Sequence, residues 1–243
     1  MQLYIQLKLD EPLCLPLAYH GKLQGAIYQL GRDLEDEATP NLHDEGFRRG
    51  KREYRLFCYS LLNGPNEIDE ENETITFSRR VSFEIRSIFE PWLATVEQNA
   101  LTQGVRIGNR VYEPEFMQRG FAAVFSDQIS FATASPITVH RTDPETRHTQ
   151  FVSPRDEAFG ELINQNFRRK YEACTGKVPD GDIQIQCINS KRLKKYVTYY
   201  KGFEIKGWLG KFRLQGDPDY LSFLYDTGIG ARNPLGFGMI KML

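Results

Sequence analysis

The sequence predicts an α+β fold in which the order β-α-β-β-α-β is written twice. Three observations predict it. Strand-like alternation and helix-like stripes succeed one another in that order over the first half. The pattern then starts again near residues 115 to 125. Finally, 243 residues, 40% apolar and 26% charged, suit one large folded domain or two small ones.

Leu3, Ile5, Leu7 and Leu9 alternate with Gln2, Tyr4, Gln6 and Lys8, the mark of a strand with one buried face. Beyond Pro12 and Pro16, the residues Leu23, Ala26, Ile27, Leu30 and Leu34 fall on one helical stripe. Gly21 and the Thr39-Pro40 pair bracket that helix. Tyr54 to Leu62 and Glu73 to Ser78 read as strands of a long hairpin, with Ser82 to Ile88 as another strand. Pro91 to Leu101 reads as a helix, and Gly104 to Glu113 as the closing strand. This is the ferredoxin-like order.

In the second half, Phe121 to His140 holds strand-like material ending in Ser135-Pro136-Ile137-Thr138-Val139. Glu157 to Cys174 carries a helical rhythm through Phe159, Leu162, Ile163, Phe167 and Tyr171. Asp182 to Asn189 alternates. Lys194 to Phe203 and Trp208 to Gln215 read as paired strands, Asp217 to Gly228 as a short helix and Phe237 to Met242 as a last strand. The expectation is two tandem ferredoxin-like (βαββαβ) domains, 1–118 and 119–243.

The net charge is −1, so any nucleic-acid surface must come from segregated charge. Segregation is present. Asn66 to Glu97 holds eight acidic and three basic residues, whereas Asn164 to Arg213 holds twelve basic and four acidic. Arg168, Arg169, Lys191, Arg192, Lys194 and Lys195 concentrate there, with Tyr196, Tyr199 and Tyr200 following. Cations that meet phosphates, beside rings that stack on unpaired bases, suit RNA. A solvated face of the domain is the plainer alternative.

Cys14, Cys58, Cys174 and Cys187 are far apart in sequence, and no metal-ligand spacing occurs, so no metal or cofactor is expected. Reduced thiols in a cytoplasmic protein are expected instead. No stretch approaches the roughly 18 apolar residues of a membrane span.

Residues 228 to 238 read Gly-Ile-Gly-Ala-Arg-Asn-Pro-Leu-Gly-Phe-Gly. Glycines let a backbone approach a phosphate. A dinucleotide fingerprint needs a strand before the glycines and a helix after them, and the order here is reversed. Taken alone, the stretch reads as a tight turn into an edge strand.

This tail resembles the C-terminal glycine-rich signature of the sixth family of CRISPR-associated (Cas) proteins. These are repeat-RNA endoribonucleases within the repeat-associated RNA-binding (RAMP) superfamily. Leu23-Gln24-Gly25-Ala26-Ile27-Tyr28, Leu42-His43-Asp44-Glu45-Gly46, Arg55-Leu56-Phe57-Cys58-Tyr59-Ser60 and Ser135-Pro136-Ile137 are similar to that family in the same order. The resemblance spans nearly the whole chain. It implies two ferredoxin-like domains and CRISPR repeat RNA, the precursor transcript, as substrate. It also implies metal-independent cleavage within the repeat, leaving a 2′,3′-cyclic phosphate and a 5′-hydroxyl. Homodimers and assemblies with other Cas proteins occur among relatives, and the sequence leaves both open.

Such cleavage deprotonates a 2′-hydroxyl, protonates the 5′-oxygen and stabilises charge on phosphorus. An imidazole titrating at about 6.5 serves either proton transfer. The resemblance implies that His43 is this acid or base. Tyr28 lies about 140° from the centre of the apolar stripe, so it should not point into the main core. The family places a catalytic tyrosine there. Arg55 stands where many relatives carry lysine, and its guanidinium suits the phosphorus charge. Lys51 and Arg52 are alternatives for that role, and His20 is a weaker catalytic candidate. Gly228, Gly230, Arg232, Asn233, Gly236 and Gly238 join the basic residues as expected RNA contacts. Two other functions remain open: a non-catalytic CRISPR RNA-binding subunit of the same superfamily, and a regulatory domain for a small ligand.

Overall fold

The computed structural model describes residues 1–32, 47–49, 52–120, 123–146 and 148–243, with backbone alone at 48, 49, 52 and 53. Its first sheet runs Pro114–Gly120, Gln2–Lys8, Arg80–Ser87, Phe57–Tyr59, all antiparallel. Helices α1 (His20–Leu30) and α2 (Glu90–Gln103) pack on one face. Leu3, Ile5 and Leu7 meet Leu23, Ala26, Ile27, Trp92 and Val96 in one buried cluster. Each such side chain removed from water contributes about 1.5–3 kcal/mol. The alternation and stripe seen in the sequence are therefore the two halves of this core.

The second sheet runs Gln184–Cys187, Lys211–Gln215, Gln128–Thr133, Ile240–Met242, again antiparallel. Helices α3 (Ala158–Thr175) and α4 (Pro218–Thr227) complete it. In both sheets the first and third strands of the unit are central, so the protein is a tandem of ferredoxin-like domains.

Four local expectations are corrected. The closing strand of the first sheet is Pro114–Gly120, and Val105–Ile107 with Arg110–Tyr112 form a separate hairpin. The expected division after residue 118 falls inside that closing strand. Thr74–Phe77 pairs with Asn66–Asp69 and with Leu13–Pro16, outside the main sheet. The run from Tyr54 to Leu62 is broken: Arg52–Tyr54 pairs with Phe47–Arg49, while Phe57–Tyr59 joins the first sheet. Lys194–Tyr200 pairs with Phe203–Leu209, which leaves Lys211–Gln215 for the second sheet. No helix among the described residues is long and apolar enough to cross a membrane.

The domains meet through polar clasps. Buried Arg86 donates from Nη1 to the Ile240 carbonyl at 2.7 Å, and its guanidinium carbon lies 3.6 Å from the centroid of the Tyr225 ring. Its Nε donates to Glu84 at 2.6 Å. The terminal amine of Met1 pairs with Asp226 at 2.6 Å. Replacing Arg86 by Met keeps the stem and removes the guanidinium, leaving its partners desolvated. Arg86→Met is expected to cost about 3 kcal/mol of stability, read as a lower urea midpoint. An unchanged midpoint would show that this clasp contributes nothing.

Candidate nucleic-acid interface

The break between Tyr54 and Phe57 places Arg55. Leu56 turns into the second domain's core while Phe57 and Tyr59 enter the first domain's core, so the segment straddles the two. Arg55 stands at the crossing. Its guanidinium carbon lies 5.6 Å from the centroid of the Tyr28 ring on α1. Tyr28 is half-buried and meets Phe57 edge to face at 5.5 Å. It therefore packs on the rim of its own domain's core, as its angular distance from the stripe allows. The structure brings Tyr28 and Arg55 together. His43 and Lys51 lie outside the described residues, as does the side chain of Arg52.

Arg55 also lines a cleft of about 660 Å³ between the domains. Tyr54, His140, Arg141, Gln165, Asn166, Arg169, Lys170, Arg232 and Asn233 are among the other lining groups. No carboxylate is among the described residues that line it. Arginines from four separate stretches of chain therefore converge on the cleft, Arg141 with Asp156 at 3.7 Å behind it, and this concentration of positive charge makes the cleft attractive to a phosphate backbone.

The glycine-rich stretch forms one wall. Gly228, Gly230, Gly236 and Gly238 are buried, with φ between 75° and 82°. A side-chain carbon at Gly236 would sit 2.6 Å from the Tyr59 ring and 2.8 Å from Nδ1 of His20. Gly228 and Gly236 are needed where the second domain's loop touches the first domain, and Gly230 and Gly238 where the loop packs against its own domain's backbone. Arg232 is the exposed residue of the loop, whereas Asn233 is buried and donates to the Ile229 and Phe237 carbonyls at 3.2 and 3.0 Å.

The other basic residues divide. Arg168 and Arg169 are about 100° apart on α3. Arg168 pairs with Asp182 at 2.7 Å, and Arg169 faces the cleft. Lys191, Arg192, Lys194 and Lys195 are exposed on the turn Ser190–Arg192 and the strand Lys194–Tyr200, outside the cleft. Tyr196 and Tyr200 are not free platforms for bases. They bond to His20 and Gln24 of α1 at 2.8 and 3.1 Å, which leaves Tyr199 as the exposed ring of the three.

His140 and Arg141 also line the cleft, and no motif in the sequence marks them, because their partners there are distant in sequence. Among the described residues no three of His, Cys, Asp or Glu cluster in a way that could hold a metal ion.

His20 is placed as a structural residue. It is 1% exposed, lies between the Tyr19 and Phe237 rings, and bonds through Nδ1 to the Leu235 carbonyl and through Nε2 to the Tyr196 hydroxyl, both at 2.8 Å. The carbonyl can only accept, so Nδ1 carries the proton and Nε2 accepts from the tyrosine. Burial pushes its pKa down to about 4, against the bond to Leu235. This closed environment excludes it from meeting a substrate.

Three comparisons bear on the whole. A family profile described as CRISPR associated protein Cas6, C-terminal, matches residues 116–242. A CRISPR-associated endoribonuclease Cas6 of Pyrococcus furiosus is 24% identical over 237 residues, 96% of this chain and 85% of the relative. A CRISPR-associated endoribonuclease Cas6 of Methanocaldococcus jannaschii is 23% identical, covering 99% of this chain and 92% of the relative. A solved structure of a Cas6-related protein from Pyrococcus furiosus superposes with a TM-score of 0.85 at 22% identity, over 100% of this chain and 98% of that one. Another, described as a RAMP protein binding different RNA substrates, gives 0.82 at 22%, over 100% and 99%. The structural likenesses establish the fold, two ferredoxin-like domains in tandem. The chain belongs to the CRISPR-associated Cas6 family.

The depressed pKa of His20 gives a signed prediction. The folded value is about 4 and the unfolded one about 6.5. As pH falls below 6.5 the unfolded chain binds this proton first, so stability is full above 6.5 and is lost on the way to 4. The loss is about 3 kcal/mol, followed by chemical unfolding between these limits. In His20→Gln, which cannot titrate, that component of the slope is expected to vanish. An identical slope in both proteins would reject it.

Proposed function

We propose that this protein is an endoribonuclease that cuts CRISPR repeat RNA within the repeat, without a metal, to release guide RNAs. The observation that carries the reading is the Tyr28–Arg55 pair at the edge of a cleft lined by arginines and no described carboxylate. Membership of the Cas6 family supports the substrate class, as do relatives named endoribonucleases.

In this reading the strand lies along the cleft, its phosphates facing Arg169, Arg232 and Arg141. The guanidinium of Arg55 meets the scissile phosphate and stabilises the charge that builds on phosphorus. Held beside it, the Tyr28 ring and hydroxyl orient the phosphate or the attacking 2′-hydroxyl. His43 transfers the proton, as base or acid. In sequence it stands four residues before Phe47, whose Cα pairs with that of Tyr54 next to Arg55. Attack of the 2′-oxygen on phosphorus breaks the bond to the 5′-oxygen. The products are a 2′,3′-cyclic phosphate and a 5′-hydroxyl.

The exposed Lys191, Arg192, Lys194 and Lys195 extend the basic surface beyond the cleft. The two domains divide the work, the first supplying the reacting groups and the second most of the grip.

The test is repeat RNA incubated with the protein in EDTA. Cleavage is expected, and His43→Ala is expected to lower the rate by about 10³-fold or more with affinity nearly intact. His140→Ala, altering the imidazole on the cleft wall, is expected to keep the rate within about tenfold. Parental cleavage by His43→Ala would refute the assignment. Binding without any cleavage would instead favour a non-catalytic RNA-binding subunit.

A second comparison maps the grip. Charge reversal of Lys191, Arg192, Lys194 and Lys195 together is expected to weaken RNA binding and flatten its salt dependence. Arg169→Glu alone is expected to weaken it by about tenfold or more, because this cation lies inside the cleft. Equal affinity of Arg169→Glu and the parent would place the strand on another face.

A further inference from the structure

Lys170 is a charged residue that neither the proton chemistry nor the surface cations account for. It is 3% exposed, at the floor of the cleft. Its Nζ donates to the Gly228 carbonyl, to the Thr227 carbonyl at 3.4 Å and to Oδ1 of Asn233 at 3.2 Å. No carboxylate pairs with it among the described residues. An ammonium so buried costs several kcal/mol unless every proton finds an acceptor, and a methionine would fill the same space without that cost.

What the charge does is visible in Asn233. The ammonium can only donate, so it holds Oδ1 of that amide and forces Nδ2 toward the opposite side. There Nδ2 meets the carbonyls of Ile229 and Phe237, one on each arm of the loop. Lys170 thus fixes the arms to each other through one amide. It also draws in the two carbonyls at the end of α4, where the helix dipole is negative. Arg232, adjacent to Asn233 and at φ 61°, is carried onto the cleft wall by this arrangement.

We propose that Lys170 is a positioning residue for RNA binding: its buried ammonium sets the glycine-rich loop in the shape that presents Arg232 to the strand. This rests on the reading of the cleft as the RNA site. The groups facing the ammonium are the Cys174 thiol on α3, the Cys58 thiol on the first sheet and the Phe223 ring on α4. Arg169, Arg232 and His140 line the same cleft. Burial pushes the Lys170 pKa down to about 7, so the contact loosens as pH rises through neutrality.

The test compares Lys170→Met and Lys170→Gln with the parent. Lys170→Gln retains an amide donor, which keeps the experiment decisive if the methionine variant does not fold. Amide hydrogen exchange is read over residues 228–238, independently of RNA. Faster exchange there is expected in both variants, larger in Lys170→Met. Affinity for repeat RNA is expected to weaken roughly 10- to 30-fold, and a cycle with Arg232→Ala is expected to be strongly non-additive. A merely structural lysine would instead lower stability and give additive affinities. Between about pH 6 and about pH 8.5 the parent is expected to lose roughly threefold more affinity than Lys170→Gln, which does not titrate. Parental exchange over 228–238, or additive losses with Arg232→Ala, would overturn the proposal. A parent that binds no repeat RNA would sink the reading of the cleft, while the exchange data would still decide whether Lys170 holds the loop.

Discussion

The contact between the loop 228–238 and the first domain leaves no room for a side-chain carbon, and the cleft takes its form from that fit. At Gly236 such a carbon would press on the Tyr59 ring and on His20, and at Gly228 on Asn233 and Cys58. At Gly238 it would overlap the Ile229 carbonyl. Backbone therefore touches the first domain directly, with left-handed φ values that other residues adopt only at a cost. The Leu235 and Pro234 carbonyls exposed by this turn are taken up by His20 and Gln24 of α1 at 2.8 and 2.7 Å. One short loop thus closes the second domain and docks it. Tyr54–Arg55 and Arg232–Asn233 both line the cleft beside this contact.

Electrostatics follow from the same docking. A chain of net charge −1 has no general affinity for polyanions. Positive charge is concentrated locally because Arg55, Arg141, Arg169 and Arg232 are brought to one cleft while the acidic residues of 66–97 stay on the first domain's own strands and helix. Protonated Lys170 adds a positive charge beneath these arginines, although burial lowers its pKa to about 7. In a low-dielectric wall that charge is weakly screened, so it acts on the cleft as well as on the loop. The cost of desolvating it is offset by three oxygen acceptors rather than by a carboxylate, which would have cancelled the field.

Much of the fold was legible because period and burial coincide. Leu3, Ile5 and Leu7 alternate because one face of a central strand is buried. Leu23, Ala26, Ile27 and Leu30 repeat helically because α1 covers it. The closing strand Pro114–Gly120 escaped because it is an edge strand, mostly exposed, and carries no alternating apolar pattern. The break at Arg55 escaped because Leu56 and Phe57 are both apolar, yet they enter different cores. A continuous apolar run hides a change of partner. Of the candidate site, Tyr28 and Arg55 were named through resemblance, and Arg169 and Arg232 through the basic run and the glycine-rich stretch. The convergence of Arg141, Arg169 and Arg232 depends on contacts between distant stretches of chain and left no local signal.

The histidines show why residue type alone does not identify a proton carrier. A group that shuttles protons near neutral pH must meet solvent or substrate, and its two protonation states must differ little in free energy. His20 fails both conditions. Each ring nitrogen is committed to a domain contact, and protonation would place an unpaired charge between two aromatic rings. Its conversion to imidazolium is opposed by burial, and the acceptor at Nε2 that holds the Tyr196 hydroxyl would be lost. Separating the proton carrier from the docking histidine removes that conflict. Tyr28 stands beside Arg55, eight residues further along α1 than His20.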